Sequence, residues 1–282
     1  MTEHAAPPPD PVVGPASAPD VHVMTYNLRR PLPEALSARA DRWETRAPLL
    51  GRLLAAERPT VLGLQEAVGE QTAFVVDRLG GGYRAVGRGR DADGGGEGTP
   101  VVFDSGRLEL LGWRQLALSR TPLVAGSRSW GAPWPRVLVE ARFRDRATGT
   151  AFRVVNTHLD AVSPWSRLQS ARMIRRVVAT GDGEPVVVMG DANADVGSPP
   201  YRALAATPLV DTWPAAARRL TPQWRTYSGY TAPRLGGRRI DWLLVTPGVE
   251  VRAAAINAAR YDGDAASDHE PVQALLRFGG LI

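Results

Sequence analysis

Five apolar runs in this 282-residue chain end in side chains able to bind a cation or move a proton. They are MTYN (24–27), LQE (64–66), NTHLD (156–160), GDAN (190–193) and SDH (267–269). A rigid strand that gives way to a loop is where a fold can hold a reactive group steadily and still expose it. Taken singly, each has an ordinary explanation: Asn27 as a turn residue, Glu66 as a solvated helix cap, His158 as a satisfied half-buried histidine. Together, in this order, they offer what cleavage of a phosphate ester requires. That reaction needs a cation against the phosphoryl charge, donors to hold the oxygens, and a base for water.

Asn27, Glu66 and Asp268 present amide and carboxylate oxygens, which suit a hard cation such as Mg²⁺ or Mn²⁺. The chain has no cysteine, so thiolate zinc sites, disulfides and cysteine nucleophiles are excluded. Several carboxylates gathered in one site need compensating charge, and no lysine exists to supply it. A metal ion fills that role.

The elements that must position these residues follow from the apolar pattern. VHVMTYNL, beginning at Val21, reads as a strand ending on Asn27. Residues 41–57 carry Trp43, Leu49, Leu50, Leu53 and Leu54 at near-helical spacing, with Pro48 opening the regular part and Pro59 closing the segment. TVLGLQE (60–66) is a buried strand, and a helix over 69–79 stops at Gly80–Gly82. Residues 83–143 break into short extended runs, interrupted at 89–98 (GRDADGGGEG) by a flexible loop. A strand over 152–160, a helix over 163–179 and the continuous apolar strand 185–193 come next. The last third gives a short helix near 199–206, an irregular stretch 211–230, and strands at 238–245, 249–256 and 271–278.

The composition is that of a globular protein, 44% hydrophobic and 22% charged. The formal charge is +5, which would suit polyanion binding. All 34 basic residues are arginine, however, and with the abundant Ala, Gly and Pro this fits the amino-acid usage of a GC-rich genome. Residues 1–20 are proline-rich, with neither a basic start nor an apolar run, and read as a disordered leader rather than a secretory signal. A single catalytic domain over 21–282 is expected to follow, in a cytoplasmic, monomeric protein with no membrane span and no obligate protein partner.

The ordered set of motifs resembles the endonuclease/exonuclease/phosphatase superfamily, and the likeness runs from Val21 to Phe278. The resemblance implies a deoxyribonuclease I-like, four-layer α/β sandwich: two mixed β-sheets packed face to face with helices outside. It also implies a metal shell of Asn27, Glu66 and Asp268, with Mg²⁺ or Mn²⁺ as cofactor. Asp191 and Asn193 would position the attacking water, Asp191 also serving as base. His269 would bind the phosphate or activate water, oriented by Asp241 of RIDW. His158, in protonated form, would stabilise the pentacoordinate charge or protonate the leaving oxygen, supported by Glu97. Arg136 would contact the phosphate, and Asp160 with Asp191 would form any second metal site. Three of these residues have plain alternatives: Glu97 as a solvated loop residue, Asp160 as a loop cap, Arg136 as an exposed strand charge.

TYNLR, GRDADGGGEGTPVVF and SRSWGAPWPR bring the chain closer to a bacterial branch of that superfamily with no agreed substrate. GDAN stands where GDFN is commoner. TYSGY (226–230) stands where the pattern reads TF-x-G, so Tyr227 or Tyr230 would shape the substrate side. Trp130 and Trp134 would pack on a sugar, base or lipid, or belong to the local core. Three readings remain: a phosphodiesterase or phosphatase acting on a small phosphorylated molecule or lipid headgroup, a nuclease acting on DNA or RNA, and a binding protein that keeps the fold without catalysis.

Overall fold

The computed structural model describes residues 10–180, 183–205 and 209–279. Its strands obey a period of two, with successive side chains on opposite faces. In chain order the elements are β1 (Asp20–Asn27), α1 (Trp43–Glu57), β2 (Val61–Gln65), α2 (Gly69–Leu79), β3 (Tyr83–Val86), β4 (Val101–Asp104), β5 (Leu108–Ala117), β6 (Val137–Asp145) and β7 (Ala151–His158). Then follow α3 (Pro164–Ala179), β8 (Val186–Asp191), α4 (Pro199–Ala205), β9 (Val210–Asp211), α5 (Thr212–Ala215), β10 (Arg218–Arg219), β11 (Asp241–Val245), β12 (Val249–Ile256) and β13 (Val272–Phe278).

They form a seven-stranded sheet, β10-β12-β13-β1-β2-β4-β3, and a six-stranded sheet, β5-β6-β7-β8-β11-β9. Both are mixed. β1 runs parallel to β2 and β7 parallel to β8, while β1 and β13 are antiparallel. A parallel neighbour needs a crossover, and α1 and α3 supply the two. Three apolar layers separate four structural layers. Met24, Leu62 and Leu64 pack against Leu50, Leu53 and Leu54 of α1; Val155, Val186 and Val188 pack against Ala171, Ile174 and Val178 of α3. The two sheets meet through Val23, Val61, Val154, Val187 and Leu243. The chain is thus the α/β sandwich expected, with helices outside.

Reading alternate residues along the face between the sheets shows how this layer becomes a site. On β1 the sequence is Val21, Val23, Thr25, Asn27; on β7 it is Phe152, Val154, Asn156, His158; on β8 it is Val187, Met189, Asp191. β11 runs antiparallel to β8 and reads Val245, Leu243, Asp241 in the same direction. Each of these four strands is apolar at one end of the sandwich and polar at the other.

Where the layer changes character, the sheets are joined by side-chain hydrogen bonds. Gln65 Nε2 donates to Asn156 Oδ1 (2.7 Å) and Thr25 Oγ1 (3.0 Å). Asn156 Nδ2 donates to the carbonyls of Leu64 (2.8 Å), Pro100 (3.0 Å) and Thr99 (3.1 Å). Gly63 makes room for this join: a Cβ there would stand 2.7 Å from Asn156 Oδ1 and 2.6 Å from Met189 Cε.

Three segments differ from the sequence reading. Helix α1 begins at Trp43 and contains Pro48. Buried Arg46 holds its first turns in place, donating to the carbonyls of Leu28 (2.6 Å), Arg29 (3.0 Å) and Asp41 (3.0 Å), so the helix extends ahead of the proline. The loop 89–98 is closed by backbone bonds rather than loose, with Gly89 N–H on Gly94 O, Arg90 N–H on Glu97 O and Gly98 N–H on Ala67 O. Of the leader expected to be disordered, residues 1–9 lie outside the described residues, and residues 10–20 are placed. The Glu57 carboxylate accepts the N–H groups of Val12 (2.7 Å), Val13 (3.1 Å) and Gly14 (3.0 Å), and buried His22 donates from Nδ1 to Gly14 O (2.8 Å). Among the described residues no helix is long and apolar enough to cross a membrane.

Replacing Asn156 by leucine should take one acceptor from Gln65 Nε2, which keeps Thr25 Oγ1 and Gly63 O, and the side-chain donor from the carbonyls of Leu64, Thr99 and Pro100. The expected loss is about 3 kcal/mol or more of unfolding free energy, read from urea denaturation. A variant as stable as the parent would show that this contact does not join the sheets.

Candidate active site

The strand ends open on a cavity of about 660 Å³, lined by Glu66, Glu97, His158, Asp191, Asn193, Asp268 and His269. Their backbone settings are specific. Glu66 follows β2 at φ +56° and Asn193 follows β8 at φ +49°, left-handed conformations uncommon for residues with a side chain. Gly190 sits at φ +143°, where a Cβ would overlap the Thr157 carbonyl. β8 can therefore lie close against β7 just before Asp191.

Asn27 stands behind the cavity at its centre. It donates from Nδ2 to Asp191 Oδ2 (3.0 Å) and Glu66 Oε1 (3.2 Å), and its Oδ1 accepts the Arg29 N–H (2.9 Å). The SDH loop is tied to the same strand end by Ser267 Oγ, which donates to Asn27 O (2.6 Å). Asp191 divides its two oxygens. Oδ1 accepts the Asn193 N–H (2.8 Å) and fixes the loop, while Oδ2 faces Asn27, His158 Nε2 (3.4 Å) and His269 Nε2 (3.6 Å).

The two histidines are held in opposite charge states. His269 donates from Nδ1 to Asp241 (2.9 Å to Oδ2). Burial alone would lower its pKa, but Asp241 and then Asp191 outweigh burial and lift it to about 10. His158 is driven well below the ordinary histidine value, first by burial and then by Arg136 and His269. The protonated His158 implied by the family resemblance thus meets an environment that keeps it neutral. Its Nε2 accepts from Asn193 Nδ2 (2.9 Å), and that amide also donates to Leu159 O (3.0 Å).

Glu97 makes its ion pairs with Arg90 (2.8 Å) and Arg30 (3.2 Å). Among the described residues no hydrogen bond joins it to His158, the partner expected for it. It is neither solvated nor loose, since its side chain is 13% exposed. Burial raises its pKa in spite of Arg90. Arg136 is buried rather than an exposed strand charge, and it lines the cavity with Nε 3.5 Å from Asp160 Oδ2. Among the described residues the acidic and histidine cluster is Asp191, Asp241 and His269, without Asp160. Its Oδ1 accepts the N–H groups of Val162 (2.9 Å) and Ser163 (2.6 Å), which makes it the cap of the turn before α3.

Sequence reasoning missed most of the cationic rim. Arg29, Arg30, Arg90, Arg167 and Arg238 line the cavity with Arg136. Their adjacency to TYN and to the glycine-rich loop was the available clue, obscured by arginines spread through the chain. Arg29 is held by Asp41 (3.2 Å), which also accepts from the Tyr230 hydroxyl (2.7 Å). Tyr230 therefore supports the rim, whereas Tyr227 lines the cavity with its ring edge-on to His269, centroids 5.0 Å apart. Trp134 also lines the cavity, while Trp130 is anchored through its carbonyl by Ser163 Oγ (2.8 Å).

The donor set fits a hard divalent cation. Asp268 has its pKa raised by burial, with Glu66 adding repulsion against the opposing pull of His269 and Arg29. Glu66 and Asp268 are repelling carboxylates that offer the hard oxygens such a cation prefers, while Asn27 turns its Nδ2 to Glu66 and its Oδ1 to the Arg29 N–H. A second group, Asp191, Asp241 and His269, brings its ligand atoms within 4.8 Å of one another. There the His269 imidazolium already lies against both carboxylates.

The profile described as "Endonuclease/Exonuclease/phosphatase family" matches residues 24–269. The structure is similar to that of a family protein from Bacteroides vulgatus, with 30% identity and a TM-score of 0.84 over 92% of this chain and 99% of that one. It is equally similar to a mannosyl-6-phosphatase from Bacteroides thetaiotaomicron, with 25% identity and a TM-score of 0.84 over 92% of this chain and all of that one. Nocturnin of Rattus norvegicus is 24% identical over 241 residues, or 77% of this chain. The chain spans about half the length of that curated relative, 53%.

In chelator-treated protein, nuclear magnetic resonance titration should find His269 charged and His158 neutral from roughly pH 6 to 8. In Asp241→Asn, which removes the main source of the upward shift, His269 should become neutral within that range. An ordinary histidine midpoint for His269 in the parent protein would contradict the pairing.

Proposed function

Because the chain belongs to the endonuclease/exonuclease/phosphatase family, whose members hydrolyse ester bonds, we propose that it hydrolyses a phosphoester of a small phosphorylated molecule or lipid headgroup. Water is the nucleophile and Mg²⁺ or Mn²⁺ the cofactor. The observation that carries this reading is the shared cavity. Glu66 and Asp268, which fit a cation, face Asp191, a base, and His269 and Arg136, which are cationic. When bound by Asn27, Glu66 and Asp268, the cation offsets charge developing on the phosphoryl and leaving oxygens.

The remaining steps belong to the chain's own side chains. Burial, and then Asp241, lift the pKa of Asp191 to about 7, against the pull of His269. A carboxylate tuned near neutrality is an effective general base. Its Oδ1 accepts the Asn193 N–H of the loop, while Oδ2 accepts from Asn27 Nδ2 and faces both histidines; Oδ2 takes the proton of the attacking water on its remaining lone pair. Asn193 uses both amide hydrogens on His158 and Leu159 O, so its Oδ1 accepts the second hydrogen of that water. Neutral His158 positions Asn193. His269, kept charged by Asp241, and Arg136 bind the phosphoryl oxygens. The likeness to a mannosyl-6-phosphatase supports a phosphate ester of a small molecule over a polymer.

A panel of 4-nitrophenyl phosphate, bis(4-nitrophenyl) phosphate and plasmid DNA tests the reading. Turnover of at least one small ester should vanish in EDTA and return with Mg²⁺ or Mn²⁺; undiminished turnover in chelator rejects the cation. Plasmid cleavage outpacing both small esters would favour a nuclease. Asp191→Asn should lower kcat by about 10²–10⁴-fold with the fold retained, and parental activity would remove Asp191 from the base role.

A further inference from the structure

Beside the catalytic cavity, between the first turns of α3 and α4, lies a groove of about 520 Å³. Trp165 and Leu168 of α3, Ala194 of the intervening loop and Pro200 of α4 give it an apolar lining. Trp165 is 54% exposed, and the neighbouring Val162 is 62% exposed. Large apolar side chains left open beside a reactive cavity are a common mark of a ligand site. Asn193, Arg167 and Arg238 line both the groove and the cavity and form the wall between them.

We infer that this groove receives the apolar part of the substrate, an aliphatic or aryl alcohol esterified to the phosphate that the catalytic cavity holds. The inference rests on the phosphoester reading above and narrows it to an amphiphilic ester. Asn193 bonds His158 on the cavity side and borders the groove on the other. A phosphoryl group beside Asn193 therefore has its ester substituent at the mouth of the groove.

The charge pattern complements the same ligand. Arg167 is tied to the Asp160 carbonyl (2.7 Å), and Arg238 is largely exposed with its nearest carboxylate, on Asp195, 4.0 Å away. Burial lowers the Arg167 pKa, and the like charge of Arg238 lowers it further against the pull of Asp160. Two mutually repelling guanidinium groups stand where cavity and groove join, and an anionic head at that junction relieves the repulsion. Beyond them Trp165, Leu168, Ala194 and Pro200 offer an alkyl chain apolar contact, with Asp195 and Ser198 the polar members of that part of the lining.

Calorimetric titration with ethyl-, butyl- and hexylphosphonate in Mg²⁺ tests this without turnover. Affinity should tighten about fourfold per methylene buried. In Trp165→Ser and Leu168→Gln, checked for retained circular dichroism and denaturation midpoint, the series should flatten. Ethylphosphonate, the shortest chain of the series, reports binding at the catalytic cavity in each variant. Equal affinity along the series in the parent protein overturns the inference and leaves the hydrolase reading standing. No binding by any member, ethylphosphonate included, overturns both. Self-association by sedimentation that Trp165→Ser abolishes would assign the groove to a second copy of the chain and overturn the inference as well.

Discussion

The carboxamides of Gln65 and Asn156, one from each sheet, meet in a layer that is otherwise dry. An amide buried there without partners costs on the order of 1–3 kcal/mol, so the sheets come together where Gln65 Nε2 and both polar atoms of Asn156 find partners, Gln65 Oε1 alone of the two carboxamides being left without one. That condition sets their separation and offset at one end of the sandwich. The reactive groups are carried along with it. Glu66 is the next residue after Gln65, and His158 lies two after Asn156 on the same face of β7. Gly63 serves the same requirement by leaving its place to the opposing amide.

The electrostatics of the cavity follow from this placement. Carboxylates on both sheets come close enough to compete for positive charge, and the chain answers with arginines from loops and with one charged histidine. His269 and His158 differ because one has Asp241 against its ring while the other faces Arg136. Burial pushes both rings toward the neutral form; Arg136 adds to it at His158, and Asp241 outweighs it at His269. Arg46 belongs to the same system although it touches none of the reacting groups. By holding the carbonyls of Leu28 and Arg29, it fixes the path of the chain as it leaves Asn27.

What the sequence disclosed was whatever depends on local pattern. Short apolar runs place β1, β2, β7 and β8 close to where they occur, and polar residues at their ends point to the cavity they share. Features that depend on distant partners stayed hidden. Nothing near Glu97 says that Arg30 will pair with it across the cavity mouth. Nothing near Pro48 says that Arg46 will secure a helix ahead of it. Asp160 follows His158 so closely that it reads as part of the site, yet the N–H groups of the next turn claim one of its oxygens. The glycine-rich stretch 89–98 looked loose because composition records backbone freedom and not the hydrogen bonds that remove it.

β1 lies between β2 and β13, and six residues of β1 are in register with β13. The metal-fitting residues Asn27 and Asp268 therefore come from distant parts of the chain, joined only when β13 is added beside β1. A ribosome that has not yet released Phe278 leaves β1 with an unpaired flank in the middle of a sheet, and such contacts of long sequence separation form late. Assembly of that end of the sandwich therefore waits on a pairing whose two strands are separated by nearly the whole described chain.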